Sequence, residues 1–398
     1  MATFVAMIYN FDVVIDRRGT DAVKYEELQM KYGRDDLLPL WIADMDFAVA
    51  PGIVDALTRR MSHPILGYTF PGDDFWGAIT GWLSRRHGWE VSREQIDYIP
   101  GVKKGLGLCV THFTKRGDRV VIQPPVYHSF KSVVENNGRI AVNNPLIHMP
   151  DGSYKMDFEG LESIMEREHP RMMIVCNPHN PIGLQWDADT LRRVASICHR
   201  HGVLLLSDEN FGDLCLPGAP AHIPTATVSP EAAEITITLG SPSKSFNIPG
   251  LASAWAVILN PDLRRGFFDF LLASEFDTPP LFAQVGTRAA YNEGAEWLDQ
   301  VLDYIGANAR YVSERVSAEL PGVQAPVPGA GFGMWINFNG LGKTYDEVMT
   351  LLTDKARVAV SDGATFGDEG RGFVRLNIGV PRVVLAEAMD RIVGAVNQ

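Results

Sequence analysis

One lysine sits among small hydroxyl residues in Gly240-Ser241-Pro242-Ser243-Lys244-Ser245-Phe246-Asn247. Serine hydroxyls can hold a phosphate, and a lysine whose pKa is lowered by burial or a nearby cation is an activated amine. An exposed turn with a solvated lysine would carry the same letters. Asp208-Glu209-Asn210-Phe211 offers a carboxylate that can face a cationic ring or merely cap a helix. Asn177-Pro178-His179-Asn180-Pro181-Ile182-Gly183 reads as a rigid turn that presents the Asn180 amide. Val374-Arg375-Leu376-Asn377 sets one arginine inside an apolar run. Such an arginine needs a partner, either a bidentate ligand carboxylate or an internal salt bridge.

The first three groups each follow a short β-rich run. Met172–Cys176 precedes Asn177, Val203–Ser207 precedes Asp208, and Ile235–Leu239 precedes Gly240. Arg119–Gln123 and Ala254–Leu259 read as further strands, and Ala188–His201 as an amphipathic helix. Apolar strands alternating with helices predict an α/β fold with a mostly parallel sheet covered on both faces. In such sheets ligands bind beyond the C-terminal strand ends, where these polar groups fall. After about Pro280 the pattern changes to a long helical stretch over 281–320 and a strand at Phe332–Phe338. A helix near Tyr345–Ala356, the strand Val374–Ile378 and a last helix follow. These predict a smaller α+β domain. The expected division is a large domain over 46–285, with 1–45 and 286–398 forming the small one.

A chain of 398 residues is too long for one core, in keeping with two domains. The formal charge of −12 disfavours nucleic acid and anionic membranes as partners. Cys109, Cys176, Cys198 and Cys215 show no metal or disulfide spacing, so no metal is expected, and buried thiols in a reducing compartment are. The N-terminus, MATFVAMIYNFD, has no basic leader or long apolar run, and no stretch is long enough to cross a bilayer. A cytoplasmic protein is expected.

Taken in order, Asn180, Asp208, Lys244 and Arg375 resemble the pattern of fold-type I pyridoxal 5′-phosphate (PLP) enzymes of aminotransferase class I/II. Nearly the whole chain takes part. Tyr9-Asn10-Phe11-Asp12, Asp16-Arg17-Arg18-Gly19-Thr20, Trp41-Ile42-Ala43-Asp44-Met45-Asp46-Phe47 and Gly67-Tyr68-Thr69 come first. Pro100-Gly101-Val102, Gln123-Pro124-Pro125-Val126-Tyr127 and Ser243-Lys244-Ser245-Phe246-Asn247-Ile248-Pro249-Gly250-Leu251 follow. Within that class the chain is similar to the MalY/PatB subgroup of cystathionine β-lyase-like C–S lyases.

The resemblance implies PLP held as a Schiff base on Lys244, with Asp208 against its ring nitrogen and Asn180 on its phenolic oxygen. Gly101, Val102 and Lys103 would open a helix that cradles the phosphate, with Ser241 and Ser243 adding hydroxyls. Tyr127 would stack on the ring. Arg375 would clamp the substrate carboxylate, with Tyr127 and Asn180 beside the substrate. Tyr68 would reach the phosphate of a neighbouring subunit, which implies a homodimer. The implied reaction is β-elimination from cystathionine or a related L-cysteine S-conjugate. An aminotransferase would use the same residues, and a PLP fold kept for regulation would need fewer of them. Three positions depart from the subgroup pattern: Phe211 replaces a histidine or tyrosine, Pro242 a small residue, and Lys103-Lys104 follow Gly101-Val102.

Overall fold

A computed structural model gives the fold and describes residues 9–397. Met1–Ile8, the start of the expected small-domain segment, lie outside the described residues.

Seven strands form the larger sheet. Their order is Ile96–Ile99, Ala254–Ile258, Thr236–Gly240, Leu204–Asp208, Met172–Cys176, Arg119–Ile122 and Ile140–Asn143. The three central strands are apolar because both faces are covered; every residue of Met172–Cys176 and Thr236–Gly240 is buried. Helices Val102–Phe113, Ser129–Asn136, Phe158–Glu168 and Ala188–Arg200 lie between strands in the chain. Asp157 and Asp187 start two of them by accepting from the Gly160 and Thr190 amides. Six of the seven strands run the same way. Ala254–Ile258 runs antiparallel to both neighbours. The link before it, 241–253, holds only short helical turns and no crossover helix, so the chain turns straight back.

A second sheet has the order Leu38–Leu40, Val358–Asp362, Phe373–Asn377, Gly333–Asn337. Leu38–Leu40 pairs in parallel with Val358–Val360, so the early chain joins the late chain in one sheet. The expected helix over 281–320 is two helices, Leu281–Glu293 and Ala295–Glu319, which meet at Gly294. A Cβ at Gly294 would lie 2.5 Å from both the Ala290 carbonyl oxygen and the Phe246 ring, so close packing there demands glycine. The expected helix at 345–356 is α-helical over Tyr345–Thr350 and widens into a π turn over Leu351–Lys355. No helix of the described residues is long and apolar enough to cross a membrane.

Candidate active site

The strands Met172–Cys176, Leu204–Asp208 and Thr236–Gly240 point their C-terminal ends at one cavity of about 300 Å³. Its walls include Asn180, Asp208 and Lys244, each delivered by the turn or strand end that the sequence marks. Gly101, Val102 and Lys103 close one end, and Tyr127, Ser241 and Ser243 also face it. Tyr68 does not line it: the side chain is fully exposed in an open segment before helix Asp73–His87.

Lys244 is not the solvated lysine of an exposed turn. Its Nζ donates to the Ala43 carbonyl oxygen at 2.5 Å. Burial pushes its pKa down to about 8; Asp44 opposes the shift, Arg375 adds to it and Asp208 opposes it. Asp208 does not cap a regular helix. Burial pushes its pKa up to about 7 against the Asn210 amide, which donates to its Oδ1 at 3.1 Å. Among the described residues no cation makes a salt bridge with Asp208.

Helix Val102–Phe113 starts at the cavity wall, and its first intrahelical bond runs from the Gly105 amide to the Gly101 carbonyl. The preceding amides of the first turn remain available to an anion. Gly101 holds φ +110°, a conformation side chains disfavour. The two serines behave differently from the expected phosphate donors. Ser241 Oγ donates to Asn210 Oδ1 at 2.6 Å and caps the turn that carries Lys244 by accepting from the Ser243 amide. Ser243 Oγ donates to the Ser253 carbonyl. Both line the cavity with hydroxyls already committed inside the protein.

Arg375 is buried, and the internal salt bridge is absent: no carboxylate of the described residues forms an ion pair with it. Its Nη1 donates to Asn180 Oδ1 at 3.0 Å, and its Nη2 to Ser361 Oγ at 3.1 Å and the Trp41 carbonyl at 3.2 Å. Burial lowers its pKa to about 10. The neutral partners leave its charge for a ligand carboxylate. Sequence reasoning missed Trp41 and Ala43 as site residues because they act through backbone carbonyls. The run Trp41–Phe47 was legible only as part of a family pattern. Ser361 carries no signal at all. Three of the four cysteines, Cys109, Cys176 and Cys198, are buried as expected, and Cys215 is half-buried.

Fold and site together define an α/β protein whose cavity combines a pKa-lowered amine, a buried carboxylate and a helix-start anion site, with Arg375 in an adjoining pocket that shares Asn180 and Phe211 with it. The family model described as "Aminotransferase class I and II" matches residues 35–392, and the chain belongs to that family. It is 39% identical to cystathionine beta-lyase PatB of Bacillus subtilis, over 98% of this chain and 100% of that one. It is 33% identical to protein MalY of Escherichia coli, over 98% and 99%. Among solved structures, cystalysin from Treponema denticola, which contains a pyridoxal 5′-phosphate cofactor, superposes with a TM-score of 0.94 at 30% identity, covering 98% of this chain and 99% of that one.

Proposed function

We propose that this chain is a PLP-dependent C–S β-lyase that converts cystathionine or a related L-cysteine S-conjugate to a thiol, pyruvate and ammonia. The observation that carries the reading is the facing of Lys244, Asp208 and the Val102 helix start on one cavity. Full-length similarity to PatB narrows the chemistry to carbon–sulfur cleavage.

The residues fit the cofactor. Asp208 is a buried carboxylate without a cation, matched to a protonated ring nitrogen. The helix start suits a phosphate, and Lys244 supplies the amine. When bound, PLP supplies the electron sink for charge developing at the substrate Cα. Lys244 would hold the cofactor through its amine, and as a buried amine whose pKa is lowered by desolvation it would be the base at the substrate Cα. Arg375 would bind the α-carboxylate through its planar fork, and its bond to Asn180 would couple that clamp to the residue that faces the cofactor. Tyr127, which lines the cavity, would pack its ring against the cofactor and the substrate. Ser241 and Ser243 fix the Lys244 turn.

The active unit is a homodimer in this reading. Ile65, Leu66, Tyr68 and Phe70 stand exposed together, an apolar segment that suits a second subunit and would bring Tyr68 to the neighbouring site. A division at 46 and 285 is supported by the separation of the two sheets, Leu38–Leu40 belonging to the smaller one. A cytoplasmic location suits four free cysteines.

The family's own description favours a second reading, an aminotransferase, because every site residue named above serves both reactions. Incubation with cystathionine, cysteine and alanine, with and without 2-oxoglutarate, separates them. Pyruvate from cystathionine without the oxo acid is expected. Turnover that depends strictly on 2-oxoglutarate would replace the lyase with the transaminase.

A further inference from the structure

Behind the cavity wall lies a second titratable cluster that the chemistry above does not use. Glu209 follows Asp208 on the same strand end and turns away from the cavity. Its Oε1 accepts from Ser207 Oγ and from the Thr225 amide, both at 2.8 Å. Its Oε2 meets His222 Nε2 at 2.8 Å, with both side chains almost fully buried. His222 touches His87 edge to face, ring centroids 5.2 Å apart. His87 in turn meets Asp213, which also accepts from Trp82 Nε1 and from the hydroxyl of Ser245, the residue after Lys244.

A buried carboxylate with three donors is held ionised. Three donors, the Ser207 hydroxyl, the Thr225 amide and His222 Nε2, offset its burial. The imidazole's other nitrogen, Nδ1, is buried without a partner. An N–H there would go unsatisfied, so the neutral ring that donates through Nε2 fits this site, and the pair then keeps a net negative charge. The groups facing Asp208 are Glu209, Lys244, Tyr127 and Cys176; those facing Glu209 are Asp208 and His222, with His87 and Asp213 beyond.

We propose that Glu209 is a positioning residue for the cofactor: its fixed negative charge stands behind Asp208 and keeps a proton bound where Asp208 meets the pyridine nitrogen. Two carboxylates in series hold that proton more tightly than one, because removing it would leave two buried negative charges side by side. A protonated ring is the better electron sink, so Glu209 acts on the rate through Asp208 without touching substrate. This inference rests on the PLP reading above.

The test is a pH titration of holoenzyme loaded with ¹⁵N-labelled PLP, following the ring-nitrogen resonance in wild type, Glu209→Gln and His222→Gln. Glu209→Gln removes the charge and keeps the shape; His222→Gln keeps a donor to Glu209 and leaves its charge in place. In Glu209→Gln the ring nitrogen should lose its proton about one unit lower in pH than in wild type, with kcat reduced and KM for cystathionine unchanged. His222→Gln should titrate as wild type does. The double variant Glu209→Gln/His222→Gln, whose amides can pair with each other, should show the Glu209→Gln displacement and guards against misfolding of the single variant. Equal midpoints in wild type and the charge-removing variants, or equal displacement in Glu209→Gln and His222→Gln, would overturn the proposal. Wild type that takes up no PLP would overturn the cofactor reading, and this inference with it.

Discussion

The ammonium of Lys244 and the carbonyl oxygen of Ala43 meet at 2.5 Å although 201 positions separate them in the chain. The same short segment accepts from Arg375 through the Trp41 carbonyl, and its Met45 and Phe47 carbonyls accept from Asn247. Lys244 and Arg375 are therefore referenced to one loop. That loop is pinned by Lys24, fully buried, which lies 3.2 Å from Asp44 and 2.9 Å from Asp46, with Arg17 bridging the same two aspartates.

Arg375→Lys keeps a positive charge but loses the planar fork. Its partners Asn180, Ser361 and the Trp41 carbonyl are spaced for a guanidinium. KM for amino-acid substrates should rise at least about tenfold, or about 1.4 kcal/mol, with PLP affinity nearly unchanged. Steady-state kinetics beside a PLP titration measure both. A fall in cofactor affinity at constant KM would assign Arg375 to the cofactor instead.

Phe211 lines the cavity beside Asn180, and its ring packs 5.6 Å from Phe332. In the proposed site a phenylalanine would give the cofactor's phenolic oxygen no donor, so that oxygen would keep more negative charge and hold the neighbouring imine proton more tightly. Phe211→Tyr should lower the pKa of that proton by about one unit, or about 1.4 kcal/mol. Spectrophotometric pH titration reads it directly. An unchanged or raised pKa, with PLP fully bound, would make Phe211 a packing residue.

Much of this site was legible before any coordinates. Asn180, Asp208 and Lys244 each follow an apolar run, and a strand buried on both faces needs such a run whatever its neighbours are. The strand Met172–Cys176 appears with the predicted bounds, and Leu204–Asp208 and Thr236–Gly240 each shift by one residue. Ile140–Asn143, an edge strand with no buried residue, left no apolar run to read, and Leu38–Leu40 is too short for a period. The direction of Ala254–Ile258 was not legible, because an apolar pentapeptide reads the same both ways. The hydroxyls of Ser241 and Ser243 suggested phosphate ligands; their partners Asn210 and the Ser253 carbonyl become neighbours only in the fold.

Cofactor-free protein should reveal Asp208 through its pH dependence. Its pKa is raised from 3.8 to about 7 in the folded state, so the folded state binds the extra proton between those values. Stability must then fall as pH rises through that window, by a contribution on the order of 4 kcal/mol at most. Asp208→Asn should make the apoprotein more stable than wild type at pH 8, with the advantage gone below about pH 4. Denaturant unfolding at the two pH values decides it; no difference at pH 8 would mean that the carboxylate is solvated in the apoprotein.

Tyr68 projects fully into solvent, away from the cavity of its own chain. Mixing inactive Tyr68→Ala subunits with inactive Lys244→Ala subunits should restore activity, because one heterodimer site in two would be intact. With random exchange of equal amounts, roughly a quarter of the wild-type activity is expected. No recovery after confirmed exchange would place the tyrosine outside the partner's site.

Borohydride reduction of the holoenzyme, followed by peptide mapping, tests the assignment of Lys244 most directly. A single pyridoxyl adduct on Lys244 is expected, and Lys244→Ala should lose both the adduct and almost all turnover. An adduct on another lysine, or one that persists in Lys244→Ala, would contradict it.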